Sequence, residues 1–211
     1  MLKGRKPLVA VFLLGCAAFL WAPMAVACEK RFSVRVTENF PPYFLTAEDG
    51  AHSGMEVDFI RKVMAVAGCD FELVLLPWRR ALLHVEQGRL DILTVASHTQ
   101  ERAAFARFSV PYRREIVGMM MRKADLGVDI AELEDLHRLG LKAVYLGGGY
   151  HGPGFKDYSE TPEFKTVFRP VTEIYSNVPA LLHDRVDAIV SDAIAMSDHL
   201  RKNALEEGLG V

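Results

Sequence analysis

Apolar and polar positions follow two rhythms along the chain. In FSVRV, residues 32–36, apolar side chains alternate with polar ones, which predicts a strand. TENFPPYFLTAEDGAHSG follows, and its Pro41-Pro42 and Asp49-Gly50 pairs predict an irregular loop ending in a turn. Val57, Ile60, Val63, Met64 and Ala67 then recur at helical spacing, with Gly68 as the stop. DFELVLLP reads as a second strand ended by Pro77. WRRALLHVEQGRL reads as a helix with Leu82, Leu83 and Val85 inward and Gly88 at its end, and LDILTVA as a third, near-continuously apolar strand. Strands alternating with helices predict a parallel α/β layer.

The order then repeats. EIVGMMM, residues 115–121, is an apolar strand that crosses into a second set of elements. These are a helix IAELEDLHRLG, strand KAVYL, a glycine loop, a helix, strand TVFRPV, helix VPALLHDR and strand VDAIVS. AIAMSDHLRKNALEEGLGV supplies one further helix and a glycine-containing tail. No Gly/Ser-rich linker separates the halves, so two α/β lobes on a short connection, and hence a cleft, are expected.

Residues 1–27 stand apart. Lys3, Arg5 and Lys6 precede an apolar run from Leu8 to Trp21, and Ala25-Val26-Ala27 fits a small-residue cleavage site, which reads as an export signal. The rival reading is a membrane anchor, but the run falls short of the roughly 20 residues needed to span. The division expected is therefore a signal peptide at 1–27, lobe one at 28–115 and lobe two at 116–211. The 211 residues suit two small lobes. Removing the three signal cations takes the formal charge from −2 to −5, which argues against nucleic acid as a partner.

Cys16 lies in the signal, leaving Cys28 and Cys69. Each precedes a strand, so parallel neighbouring strands would bring both to one sheet end, and an exported chain permits the bridge. Leu13-Leu14-Gly15-Cys16 and Ala25-Val26-Ala27-Cys28 both resemble lipoprotein processing sites, so lipid anchoring is the competing use.

Motifs of catalysis are weak. The acids form no pair at a spacing that demands acid and base roles, and no serine sits in a GxSxG turn. The histidines lack metal-ligand spacing, so no metal is expected. Gly147-Gly148-Gly149-Tyr150-His151-Gly152 fits G-x-G-x-x-G after a strand, but Pro153 and Gly154 argue against direct helix entry. A mobile loop bringing backbone N–H groups to a ligand is the simpler reading, and no cofactor is expected.

Phe40, Tyr43 and Trp78 sit at strand ends that would face one crevice, or they simply cover the core. SHTQER, residues 97–102, carries the same ambiguity. Ser97-x-x-Gln100 reads as a capping box with Arg102 solvated, or the helix start and the Arg102 guanidinium together form an anion site.

Several ordered motifs together carry a resemblance. Gly54-Met55-Glu56-Val57-Asp58-Phe59, Phe40-Pro41-Pro42-Tyr43, the GRLD turn at 88–91, Ser97-x-Thr99-x-x-Arg102, Phe108-Ser109-x-Pro111-Tyr112 and Val186-Asp187-Ala188-Ile189-x-x-Asp192 resemble the family 3 extracellular solute-binding proteins of polar amino acid ABC transporters. The likeness runs from Arg31 to Asp198. It implies a two-lobed periplasmic binding protein of type II, a Venus-flytrap that closes on its ligand, working as a monomer in the periplasm and delivering an amino acid-like solute to a membrane permease. It places Arg102, with Ser97 and backbone N–H groups near Thr99, on the ligand carboxylate. Asp192 falls on the ammonium, and Phe40 and Trp78 on the side-chain walls. Where the family offers a second-lobe serine or threonine, this chain has Gly149, Tyr150 and His151. The family also returns to lobe one for a final strand and helices, and this sequence stops first, so a fragment is expected. The same architecture resembles the periplasmic cyclohexadienyl dehydratases, for which Glu173, Asp192 or His151 would supply an acid. A ligand-sensing domain of a longer receptor is the third reading.

Overall fold

The structure, a computed structural model, describes residues 28–211 apart from Asn39. The export signal, Cys16 and the 25–27 cleavage site lie outside the described residues.

The first lobe runs β1 (Phe32–Val36), a small hairpin of β2 (Leu45–Thr46) and β3 (His52–Ser53), α1 (Met55–Ala67), β4 (Phe71–Leu75), α2 (Trp78–Glu86) and α3 (Gln100–Ala103). β1 and β4 pair in parallel, Phe32 opposite Phe71 and Val36 opposite Leu75. This parallel pairing brings the two cysteines together: Cys28 and Cys69 form a disulfide with their Cα atoms 4.9 Å apart.

The 90–96 segment is not the third strand its apolar run predicts. Only Ile92 bridges to Val34, through hydrogen bonds from Arg35 N to the Ile92 carbonyl and from Ile92 N to the Ser33 carbonyl. Val95 takes φ 53°, outside the extended region, and its N–H turns to the Tyr112 hydroxyl, which ends the ladder. The loop expected at 37–54 contains the Asp49-Gly50 turn, and the hairpin around it was not foreseen. α1 buries Val57, Ile60 and Met64 as its spacing predicts, whereas Val63 is exposed. In α2 it is Trp78 and Ala81 that are buried, and Leu83 points outward.

Gly54 fixes the approach of α1 to the preceding loop. It has φ 113°, and a Cβ there would collide with the Tyr43 backbone carbonyl. The close fit lets Met55 N–H donate to the Pro42 carbonyl and Glu56 N–H to the Tyr43 carbonyl, anchoring the loop that carries Phe40 and Tyr43.

The second lobe runs β5 (Val117–Arg122), α4 (Glu134–Arg138), β6 (Ala143–Leu146), α5 (Pro153–Ser159), α6 (Phe164–Val167), β7 (Phe168–Val171), α7 (Val178–Leu182), β8 (Ala188–Asp192), α8 (Ala193–Lys202) and β9 (Leu209–Gly210). One five-stranded sheet results, in the order β7-β6-β8-β5-β9, with β6, β7 and β8 parallel and β5 antiparallel to both neighbours. Neighbouring strand residues go to opposite faces. Met120, Val144 and Ile189 enter one core, while Met121, Ala143, Ala188 and Val190 enter the other. Burial on both faces accounts for the continuous apolar reading of EIVGMMM and VDAIVS. The helix expected across 130–140 is reduced to Glu134–Arg138, and β9 was not foreseen. Pro153 does not prevent helix entry: α5 starts on it, with Gly152 as N-cap, because the first turn needs no proline N–H.

A smaller cluster joins the lobes, placing Val36, Tyr43, Phe44 and Val57 against Ala195 of α8. Among the described residues no helix is long and apolar enough to cross a membrane.

Candidate functional site

A cavity of about 330 Å³ lies between the two lobes, of a size that suits a small solute. Phe40, Trp78, Ser97 and Arg102 line it from the first lobe, and Gly149, Tyr150 and Asp192 from the second. Seven of the nine residues singled out from sequence therefore converge. Tyr43 and Thr99 stand behind this wall. Tyr43 is buried and its hydroxyl donates to Asp192 Oδ1 at 3.2 Å. Thr99, rather than the expected Ser97, caps α3: its Oγ1 accepts from Arg102 N–H at 3.2 Å, since the chain stays extended through Thr99.

α3 holds Arg102 over the cleft, with 8% of its surface exposed. Its Nη1 donates to the Ser97 carbonyl at 2.8 Å and its Nη2 to the Gly148 carbonyl, in the other lobe, at 2.9 Å. The guanidinium also lies 5.4 Å from the Trp78 ring centroid. A guanidinium has five N–H donors, so three remain. Burial pulls its pKa downward from the ordinary arginine value.

Asp192 closes β8 and caps α8, Oδ1 accepting from Ala195 N–H at 2.8 Å. Its Oδ2 pairs with Arg113 Nη2 at 3.2 Å, and Arg113 in turn lies 4.2 Å from the Tyr43 ring. The carboxylate is thus neutralised internally by an arginine that sequence reasoning did not mark. It offers about four acceptor positions, of which the cap, Tyr43 and Arg113 take three. Tyr43 is pushed up to about 12, mainly by burial, so its hydroxyl stays protonated and donating.

The glycine loop touches the first lobe through its backbone. The Gly148 carbonyl accepts from Trp78 Nε1 at 2.8 Å as well as from Arg102, and Gly148 has φ 81°. At Gly147 a Cβ would fall 2.8 Å from Arg79 Nη2, a contact the flexible arginine side chain would have to yield. Lys156 and Glu101 form a further pair across the cleft at 2.9 Å.

Other cavity residues were missed. Arg35, Glu115, Tyr175 and Ser191 line it. The Tyr175 ring stacks on Phe40 with centroids 6.2 Å apart and on His199 at 4.2 Å. Burial raises the carboxyls of Glu115 and Glu173, the latter helped by Glu38. His151, also on the wall, is pulled down by burial and so held neutral. Arg35, Glu115, Tyr175 and Ser191 carry no motif, and only their placement in three dimensions reveals them. Among the described residues no three His, Cys, Asp or Glu side chains are grouped to hold a metal ion.

A two-lobed α/β scaffold with a charged, aromatic-walled cleft between the lobes defines the class by its fold. Solved structures share the fold. An ancestral arginine-binding protein bound to arginine superposes with a TM-score of 0.72 at 20% identity, covering 85% of this chain and 77% of that one. A histidine kinase sensor domain with similarity to periplasmic binding proteins gives 0.73 at 22%, covering 86% and 75%. The arginine-, lysine-, histidine-binding protein ArtJ of Geobacillus stearothermophilus gives 0.71 at 22%, covering 86% and 74%. Residues 32–130 match the model of the bacterial extracellular solute-binding proteins, family 3. It is also similar to the L-cystine-binding protein TcyJ of Escherichia coli K12, 24% identical over 169 residues that make up 78% of this chain. The match spans 59% of that relative's length.

Proposed function

We propose that the protein binds a small polar solute, an amino acid or related zwitterion, by closing its lobes on it, and delivers it to an ABC-type permease after export with residues 1–27 as signal. The lobes would divide near residues 115 and 116. The observation that carries this reading is a cavity with Arg102 on one wall and Asp192 on the other. The free N–H groups of Arg102 receive the carboxylate, and the remaining acceptor position of Asp192 receives the ammonium. Phe40, Trp78 and Tyr175 cover the side chain. Cystine and arginine, named for the similar proteins, head the panel of candidate ligands. Because the two charges reach one ligand from different lobes, binding favours the closed state.

Calorimetric titration with the L-amino acids and L-cystine tests this. At least one binds, and Arg102→Ala weakens it by about 30-fold or more, the cost of removing one partner of a desolvated charge pair. Silence across the panel from folded protein, or binding that survives Arg102→Ala, sinks the reading. A second reading rests on Glu173, a cavity-lining carboxyl held up by burial, as the acid of a dehydratase. Phenyl product from prephenate or arogenate, lost in Glu173→Gln, would favour it.

A further inference from the structure

Arg35 lies outside the site read from sequence, yet its charge is the least answered in the cleft. It sits in β1 with 4% of its surface exposed, and it lines the same cavity as Arg102. Its Nε donates to the Leu76 carbonyl at 3.1 Å. Among the described residues neither terminal nitrogen has a hydrogen-bond partner, and no carboxylate is within ion-pairing range. The guanidinium lies 5.7 Å from the Phe44 ring centroid and 5.5 Å from that of Trp78. Burial brings it down to about 10, so it remains charged at neutral pH.

A buried cation without a counter-charge is costly, and a guanidinium with two open terminal nitrogens matches the fork of a carboxylate. The acid whose charge it feels most is Glu173, from the second lobe, which does not reach it. Burial raises the Glu173 carboxyl above its ordinary value. Arg102 lines the same cavity, and both guanidiniums lie against the Trp78 ring.

We propose that Arg35 is a second carboxylate-recognising position, and that the ligand class is a small solute bearing two carboxylates, one on Arg102 and one on Arg35 across the face of Trp78. This rests on the binding reading above and adds its specificity.

L-Glutamate and L-glutamine are the probes, nearly identical in shape and differing by one carboxylate, with L-arginine as the opposite charge. Calorimetry on the full chain should give glutamate about tenfold tighter than glutamine or more. Arg35→Met should bring that ratio to about one, and Arg35→Lys, which keeps charge without the fork, should leave it between. Equal affinities, a preference for arginine, or a ratio unmoved in Arg35→Met overturns the proposal. If glutamine still binds and is lost in Arg102→Ala, those outcomes overturn this inference alone. Silence toward all three probes overturns this inference, and the reading beneath it falls with it only if the full panel of L-amino acids and L-cystine is silent too. Should Arg35→Met fail to fold by circular dichroism, the wild-type ratio and Arg35→Lys decide.

Discussion

Asp192 holds three structures with one carboxylate: the first turn of α8, the hydroxyl of Tyr43 and the charge of Arg113. Its substitutions should therefore separate. Asp192→Asn keeps a capping oxygen but leaves Arg113 with Glu115, 4.0 Å away, as its remaining anion. Asp192→Ala loses the cap as well, adding about 1 kcal/mol to the roughly 3–5 kcal/mol of a broken buried pair. Urea unfolding should thus rank wild type above Asn above Ala, and equal losses in the two variants would show that the cap contributes nothing. Asp192 and Arg102, which fall in ordered motifs of the sequence, both line the cavity. Arg35 escaped notice for a physical reason. In FSVRV it occupies a polar position of an alternating strand, which reads as solvent-facing, and nothing local shows that Phe44 and Trp78 enclose it.

At the scale of elements, periodicity found most strands and misjudged the third one of the first lobe. LDILTVA has the composition of a buried strand, but one residue, Val95, leaves the extended region, and the segment bridges only at Ile92. Backbone conformation at a single position is not visible in an apolar run. What remains is a two-stranded parallel pair, a weak unit alone, tied at its end by the Cys28–Cys69 bridge. The sequence separation of 41 residues sets the benefit of closing that loop at about 4 kcal/mol. Cys69→Ala, or reduction of the wild type, should lower unfolding free energy by about that amount. Denaturation with and without reductant measures it, and a change below about 1 kcal/mol would mean the unfolded chain is already compact there.

The whole molecule is organised by contacts that need no ligand. The Gly148 carbonyl is held by Trp78 and Arg102, Lys156 meets Glu101, and Asp192 reaches Tyr43 and Arg113. These hold the lobes together, so ligand acts on a molecule already biased toward closure. Trp78→Phe keeps an aromatic wall but removes one hydrogen bond across the cleft, worth about 1 kcal/mol. The ratio of closed to open molecules should fall about fivefold, read as a larger radius of gyration by small-angle scattering without ligand. An unchanged radius would place the closure energy in the other contacts.

Trp78 is also the single indole among the described residues, the chain's other tryptophan being Trp21. In the closed arrangement its N–H is held by the opposite lobe, and in an open one that N–H would meet water. The emission of this one side chain should therefore shift with every opening and closing, giving the protein a built-in optical gauge that follows the hinge without any attached dye.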